Sequence, residues 1–436
     1  MASKVILSVG AVAIIGASSL GMHLSKTALQ QQIANLNSAP IGTQDIAFKI
    51  DTVSDNFFVQ RHKITLSFRA NLLEFTQSVT FLPWGAKGNI DLVQEGQFFN
   101  ELRKNTTFIE LPLNVDWQVN GLTQIMILNA DLAAFNVKST QPDDNFQFSS
   151  KPAFIQITSD LDGANTLFRT AIQGYKISND ELDITLTSLT MDSSSKKTKS
   201  LLRISDTVIR LADIKITNHN QRKPFKSFQL SRLSNTMTSN FVAQALSLKS
   251  EVKIGDITVK HAPTSPEIAE HLSLENIAIK ASISNIGSAF LTHLKAFNPL
   301  QLTDSLPNQA DINNLGDAFF SENKKVTLNL STDNLNITLN GQQSSGAINL
   351  AGTGKMSPIE FQQLVQHGPQ LILNSLYCEL DVSVARSVAD FASQFLGMPY
   401  APFIEQGFAV DAVNSISTHI EYDNNQLKAN GKLLMM

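Results

Sequence analysis

The chain has 436 residues, enough for two or three domains, with 42% hydrophobic and 17% charged residues. A net charge of −4 excludes the basic footprint of a nucleic-acid or polyanion binder. The single cysteine, Cys378, excludes an intrachain disulfide and a thiolate metal cage.

Residues 5–24 form an apolar run, VILSVGAVAIIGASSLGMHL, whose twenty residues as a helix span ~30 Å, the thickness of a bilayer's hydrocarbon core. Lys4 and the amino terminus are the positive charges before it, which favours an N-inside orientation with the bulk of the chain carried across. Gly16-Ala17-Ser18 offers a small-residue cleavage site, but the apolar pattern continues past it through Leu20, Met22 and Leu24. The helical pattern then runs on through Ile33 and Leu36 until Pro40 and Gly42. The reading is a single-pass anchor with a helical extension over residues 1–38.

Period-2 alternation dominates the rest. In residues 60–68, Ile64, Leu66 and Phe68 share one face and Lys63, Thr65 and Ser67 the other. Residues 193–200, SSSKKTKS, are the most polar run and set a soft boundary between a β-rich half at 39–195 and a second at 196–436. Val252, Ile254, Ile257 and Val259 alternate around Gly255, a candidate bulge. Ile286, Ala289, Phe290, His293, Leu294 and Phe297 fall on a helical stripe, which predicts a helix over 286–298. Val326, Leu328 and Leu330 alternate, and the pattern resumes with Leu335, Ile337 and Leu339 before Asn340-Gly341, a strong hairpin signal. A further strand covers 347–351.

Ser357-Pro358-Ile359-Glu360 reads as a capping box opening a helix over 358–366. Val388, Phe391, Phe395 and Leu396 mark another at 386–396, and Ser265-Pro266-Glu267 starts a short one. Ile416, Thr418, Ile420 and Tyr422 alternate, Asp423-Asn424-Asn425 turns the chain, and Leu427, Ala429, Gly431 and Leu433 run back. The fold class is therefore α+β, mainly β: large antiparallel, curved sheets with a few packed helices behind one N-terminal transmembrane helix.

The chain carries no recognisable catalytic motif. Its eight histidines are not paired at metal-binding spacing, and HExxH and GxSxG are absent. The calcium-loop-like run from Asp311 has Leu315 where an oxygen ligand belongs. Gly352-Thr353-Gly354-Lys355 lacks the first glycine and the Ser/Thr of a phosphate loop. No metal or cofactor is expected. Aromatic usage is skewed to 26 Phe against 4 Tyr and 2 Trp, so the aromatic surface is dry: core, or the lining of an apolar groove. Phe290, Leu294, Phe297, Phe391 and Phe395 are the candidate lining residues.

Behind the anchor and its polar helix, Asp55-Asn56-Phe57-Phe58-Val59 forms an aromatic turn in the first strand pair. Leu82-Pro83-Trp84-Gly85 follows, and the chain closes with Gln406-Gly407-Phe408, Tyr422 and Asn430-Gly431-Lys432. This layout resembles the YdgA-like family of bacterial envelope proteins, the domain of unknown function 945. Members carry a Gly-Trp-Phe-like turn where this chain has Asn56-Phe57-Phe58, and a His-Gly-Pro near where it has Leu82-Pro83-Trp84-Gly85. The resemblance implies an inner-membrane protein facing the periplasm and carries over no catalytic residues.

Two functions fit. The first is a non-enzymatic envelope interaction or scaffold protein, self-associating as a homodimer through its strand edges or binding an envelope protein. The second is a periplasmic binder or carrier of lipid or another apolar ligand through a Phe-lined groove. A hydrolase with a site assembled from distant residues is the third reading. What separates the first two is whether an apolar groove stands open or a helix, with 286–297 as the natural filler, occupies it.

Overall fold

A computed structural model describes residues 46–435, apart from 57, 69–70, 96, 198–202, 221–222, 243–244, 263–269, 288, 292, 294–308, 340, 369 and 397–398. The anchor, its helical extension and the Ser265-Pro266-Glu267 helix lie outside the described residues. The chain divides into two compact units, one up to Arg203 and one from Ile204. Both are mainly β, with antiparallel pairing throughout and few helices.

The N-terminal unit is a meander. Strands β1 (Ile46–Asp55), β2 (Val59–Phe68), β3 (Asn71–Leu82), β4 (Gly85–Val93), β5 (Leu113–Asn120) and β6 (Ile125–Leu132) each pair with the next. The short β7 (Phe135–Lys138) and β8 (Gln147–Ser150) form the outer half of a hairpin whose inner half is β6 with β9 (Ala153–Asp160). Register is unbroken across both halves. The break falls at Pro152, which has no N–H for the ladder. Strand β10 (Asn165–Ser178) pairs with β8 and β9 on one edge and β11 (Leu182–Lys197) on the other.

One face of this sheet forms a dry core. Ile50, Ile64, Phe75, Val79, Ile90, Val115, Trp117 and Leu128 are all buried in it. The expected alternation of β2 holds at Ile64, yet the same face carries Gln60 and His62, which are 0% and 1% exposed. A second cluster of Phe99, Phe108, Leu111 and Val137 sits under helix α1 (Gln97–Asn105).

The C-terminal unit is a second meander of longer strands: β12 (Arg203–Asn218), β13 (Phe225–Val242), β14 (Ala245–His261), β15 (His271–Gly287), β16 (Lys324–Leu339) and β17 (Gln342–Met356). It continues through β18 (Leu376–Ala385), which pairs with β20 (Ser415–Asp423). The far edge of β20 is shared by β19 (Val410–Asp411) and β21 (Gln426–Ala429). The return strand expected after Tyr422 is two short strands, β21 and β22 (Lys432–Met435). Asn424 and Asn425 turn the chain once, and Asn430 and Gly431 turn it again, all four with positive φ as a type I′ turn requires.

Helices α2 (Gln309–Phe320), α3 (Phe361–His367), α4 (Gln370–Ser375), α5 (Arg386–Leu396) and α6 (Ala401–Glu405) are spliced between these strands. The helix expected at 386–396 is α5. The helix expected from 286 does not include its first residue: Ile286 lies in β15, paired with Leu246 and buried, and the first described helical residue is Ala289. The helix expected at 358–366 is α3, which starts at Phe361 behind Glu360 without a side-chain cap. The capping box does not form because tertiary bonds take its backbone: Ser357 N–H donates to Ser375 O and Ile359 N–H to Phe320 O.

A transverse line of irregularity crosses the long strands. By register Arg232, Gly255, Asn276 and Asp333 lie directly across from one another on β13 to β16. Arg232 and Asn276 have positive φ, and β16 carries a register shift against β17 between Thr332 and Leu335. Side chains in a regular strand alternate faces, so one extra residue per strand reverses the phase. The sequence pattern reverses at the same line: Val252 and Ile254 give way to Ile257 and Val259, and Leu328 and Leu330 to Leu335 and Ile337. The apolar side chains thereby stay on one face along the full strand length. Arg232 lies over Gly255, where an added Cβ would come within 2.3 Å of its Nε, and pairs with Asp256 at 2.7 Å.

Asn276 holds the left-handed conformation that asparagine tolerates and β-branched residues resist. Asn276→Val is therefore expected to cost ~1–2 kcal/mol and Asn276→Gly to leave stability nearly unchanged. Urea midpoints at constant slope measure both; equal losses would show that the phase shift does not depend on this residue's φ.

Candidate functional site

The phase-corrected face of the C-terminal sheet is predominantly apolar, with Ser250, Asn235 and Thr418 as polar members of its rows. One row across it reads Leu248, Ile283, Val326, Gly354, Cys378 and Tyr422. The next reads Met237, Ser250, Ala281, Leu328, Gly352, Leu380 and Ile420, and a third Asn235, Val252, Ile279, Leu330, Leu350, Val382 and Thr418. The opposite face carries Glu251, Lys253, Lys280, Asn329, Lys355, Glu379, Asp381, Glu421 and His419. Period-2 alternation makes this partition, one face for water and one for apolar contact.

That apolar face is not closed. Val326 is 46% exposed, Leu328 44%, and Leu248 and Met237 40% each. They lie on three of the four strands β13 to β16, in two neighbouring rows bridged on β15 by the half-buried Ile283 and Ala281, so they form one patch rather than scattered surface residues. Strand spacing of ~4.8 Å gives ~29 Å across β13 to β20, and the rise per residue gives ~27 Å along β16 from Lys324 to Thr332. On β17 the face has no side chain at Gly352 and Gly354, which leaves a trough between Val326 and Leu328 on one side and Leu380 and Cys378 on the other. Leu380 Cδ1 would sit 3.3 Å, and Cys378 Sγ 3.7 Å, from a Cβ added at Gly352 and Gly354. Burial pushes the Cys378 thiol up, so it lines the trough as a protonated, apolar group.

Helices stand at the two ends of the patch. Helix α5 packs where β17 has Gly346: a Cβ there would come within 2.2 Å of Ala385 Cβ and 3.3 Å of Val388. Ser344 Oγ donates to Ser387 O at 2.8 Å and fixes its start. At the other end helix α2 delivers Phe319 and Phe320 to an aromatic chain, Phe290–Phe319–Phe320–Phe361, with centroids 5.0, 5.1 and 5.9 Å apart. Beneath it lies Lys324, only 5% exposed, with Nζ 5.3 Å from the Phe319 ring. Its ammonium donates one long hydrogen bond, 3.4 Å to Glu322 O, and sits 3.9 Å from the Glu322 carboxylate. Burial holds its pKa below the usual lysine value, with Glu322 opposing that shift.

Of the expected lining residues, Phe290 and Phe391 stand on the elements at the two ends of the patch. Phe290 joins the aromatic chain against Phe319, and Phe391 is half-buried on α5. Leu294, Phe297 and the Phe395 side chain lie outside the described residues. The open patch is instead aliphatic, built from strand residues that the Phe count could not indicate. Lys324 stands in phase with Val326, Leu328 and Leu330, a signal present in the alternation one step before the expected start of that strand. The calcium-like run from Asp311 lies in α2, and the glycines of the phosphate-loop-like run lie in β17. Among the described residues no group of three or more His, Cys, Asp or Glu could hold a metal ion, and no helix is long and apolar enough to cross a membrane.

On the polar face the His419–Asp381 pair, 2.7 Å apart, raises the His419 pKa, but it is exposed and belongs to the solvated side. The buried polar row of the N-terminal unit is the other departure from a simple core. His62 Nδ1 meets Thr52 Oγ1 at 3.2 Å and Gln60 Nε2 donates to Asp55 at 2.9 Å, while His62 Nε2, Gln60 Oε1 and Trp117 Nε1 have no protein partner. Burial pushes the His62 pKa below 6.5 against the pull of Asp55.

Two outcomes follow from these buried groups. A histidine whose folded pKa is depressed contributes stability above pH 6.5 that is lost as pH falls through its folded pKa. His62→Gln should therefore flatten part of the stability rise between pH 5 and 7 in urea titrations; an unchanged slope would contradict a buried neutral His62. At pH 7 the buried Lys324 ammonium works against folding, so Lys324→Met should match or exceed the parent stability by up to ~1 kcal/mol, read from the urea midpoint. A loss of stability would mean that its contacts to Glu322 and Phe319 outweigh desolvation.

Comparison of the chain with family profiles, curated proteins and solved structures finds no match.

Proposed function

We propose that the C-terminal sheet binds the acyl part of a lipid on its apolar face, between α2 and α5, and that the protein is a membrane-tethered lipid binder or carrier. The observation that carries this reading is the exposure of Met237, Leu248, Val326 and Leu328 in one patch, backed by a predominantly polar opposite face. The face from Lys324 to Thr332 is ~27 Å long, while one leaflet's share of the bilayer core is ~15 Å, so a single acyl chain is no longer than the face that carries the patch. The apolar run at residues 5–24 supports the reading from the sequence side: it would hold the sheet at the membrane, where the ligand is found. An inner-membrane, periplasm-facing location belongs to the same proposal. Self-association draws less support. The end strand β22 has four residues, a short template for edge pairing.

Full-length protein purified in mild detergent should carry lipid detectable by native mass spectrometry and by extraction. Val326→Glu and Leu328→Glu put a charge in the patch at positions already exposed, and should reduce bound lipid at least tenfold. Asn329→Glu, on the polar face, should leave it unchanged. Equal lipid in all three variants, or none in the parent, would overturn the proposal.

A further inference from the structure

We propose that the ammonium of Lys324 holds the carboxylate of a fatty-acid-type ligand whose acyl chain runs along the apolar face over Val326 and Leu328. This rests on the lipid-binding reading above and narrows it to one ligand class. Register places Lys324 in line with Val326, Leu328 and Leu330, so its side chain issues from the apolar face itself, at the end covered by α2. Across the rows from Val326 to Thr332 and their partners on β13 to β20, no side chain of that face is charged. The face therefore has a polarity along the strand, apolar in its length and cationic at one end, which is the complement of an amphiphile with one anionic head.

The ammonium also has unused capacity. An NH₃⁺ group carries three donors, and here the protein offers one acceptor at 3.4 Å and a carboxylate oxygen at 3.9 Å. Charge-assisted bonds to a carboxylate form at ~2.7–2.9 Å, so a ligand oxygen could bond more closely than Glu322 does. The Phe319 ring and its aromatic neighbours lower the local dielectric, which strengthens such a pair once the anion's charge is balanced. Burial lowers the lysine's pKa, so the ligand-free protein bears a cost that an incoming anion offsets. Lys324 is 5% exposed, so a small head such as a carboxylate needs less rearrangement around it than a bulky phosphoglycerol group would.

The test uses two photoactivatable probes with the same diazirine-bearing chain, one a fatty acid and one the corresponding fatty alcohol. They are crosslinked to full-length protein in mild detergent and mapped by mass spectrometry. The parent protein should label on β13 to β16, at least tenfold more with the acid than with the alcohol. Lys324→Met should lose that preference and keep the alcohol labelling; Lys324→Arg should retain the preference. Labelling of the face with no preference in the parent, or with a preference that survives in Lys324→Met, overturns the headgroup assignment and leaves acyl binding standing. No labelling of the face by either probe overturns acyl binding, and the headgroup assignment with it.

Discussion

The C-terminal unit depends on keeping every apolar side chain of a long strand on the same side. A strand of sixteen residues such as β16 must hold strict alternation over ~54 Å if it is regular, and one slipped residue sends half of its apolar set into water. The chain resolves this with an extra residue in each of several adjacent strands, aligned at Arg232, Gly255, Asn276 and Asp333. Because the phase shifts occur in register, neighbouring strands hold the same register on both sides of the line. Thr332 supports it locally: its hydroxyl donates to Glu275 O at 2.8 Å, satisfying a backbone group beside the shift. The result is one predominantly apolar surface instead of two half-faces on opposite sides.

Within each unit that surface is handled differently. In the N-terminal unit Val79 and Leu128 are fully buried and large side chains fill the space, with Trp117 reaching across Gly88, where a Cβ would lie 2.7 Å from the indole. In the C-terminal unit the same alternation ends in half-exposed side chains and a glycine trough. Glycine in the interior of a strand weakens it and brings no packing area, so two glycines in phase at 352 and 354 do not improve a closed core. They make sense where something other than the chain's own side chains lies on the strand. Exposed aliphatic area of this kind also carries an aggregation hazard, which a ligand on the face would remove.

Much of this architecture was legible in the residues. Alternation marked the strands around 60–68, 252–259, 326–339 and 416–422, and the paired Asn and Asn-Gly signals marked their turns. Even the phase reversals were written there, as a spacing of three between Ile254 and Ile257 and of five between Leu330 and Leu335. Local helix signals were weaker guides where tertiary bonds competed. The Ser357-Pro358-Ile359-Glu360 box lost to backbone bonds from Ser375 and Phe320, and the stripe from Ile286 lost its first residue to strand pairing with Leu246. The patch itself could not be read. Composition pointed to Phe, whereas the open surface is made by Met237, Leu248, Val326 and Leu328, ordinary core residues in any sequence pattern. Which of two apolar faces is covered is a property of packing, and alternation is blind to it.

Lys324 shows how far the physical chemistry of one position reaches. A lysine in phase with an apolar face is ordinarily a strand-end residue whose stem lies on the apolar surface while its amine extends into water. Here the last turn of α2 and the Phe319 ring lie over it, and the amine stays inside with a distant counter-charge. Simple solubility does not call for a buried cation, and a methionine of similar length would fill the space without desolvating a charge. The position is thus one where local stability and the rest of the design disagree. Such disagreements concentrate where a protein meets something else, since a group unsatisfied by the chain is available to a ligand. An apolar face that stays open and a cation that stays buried at its end are costs of the same sign. A single amphiphile would offset both at once, its chain covering the aliphatic patch and its head completing the coordination of the ammonium.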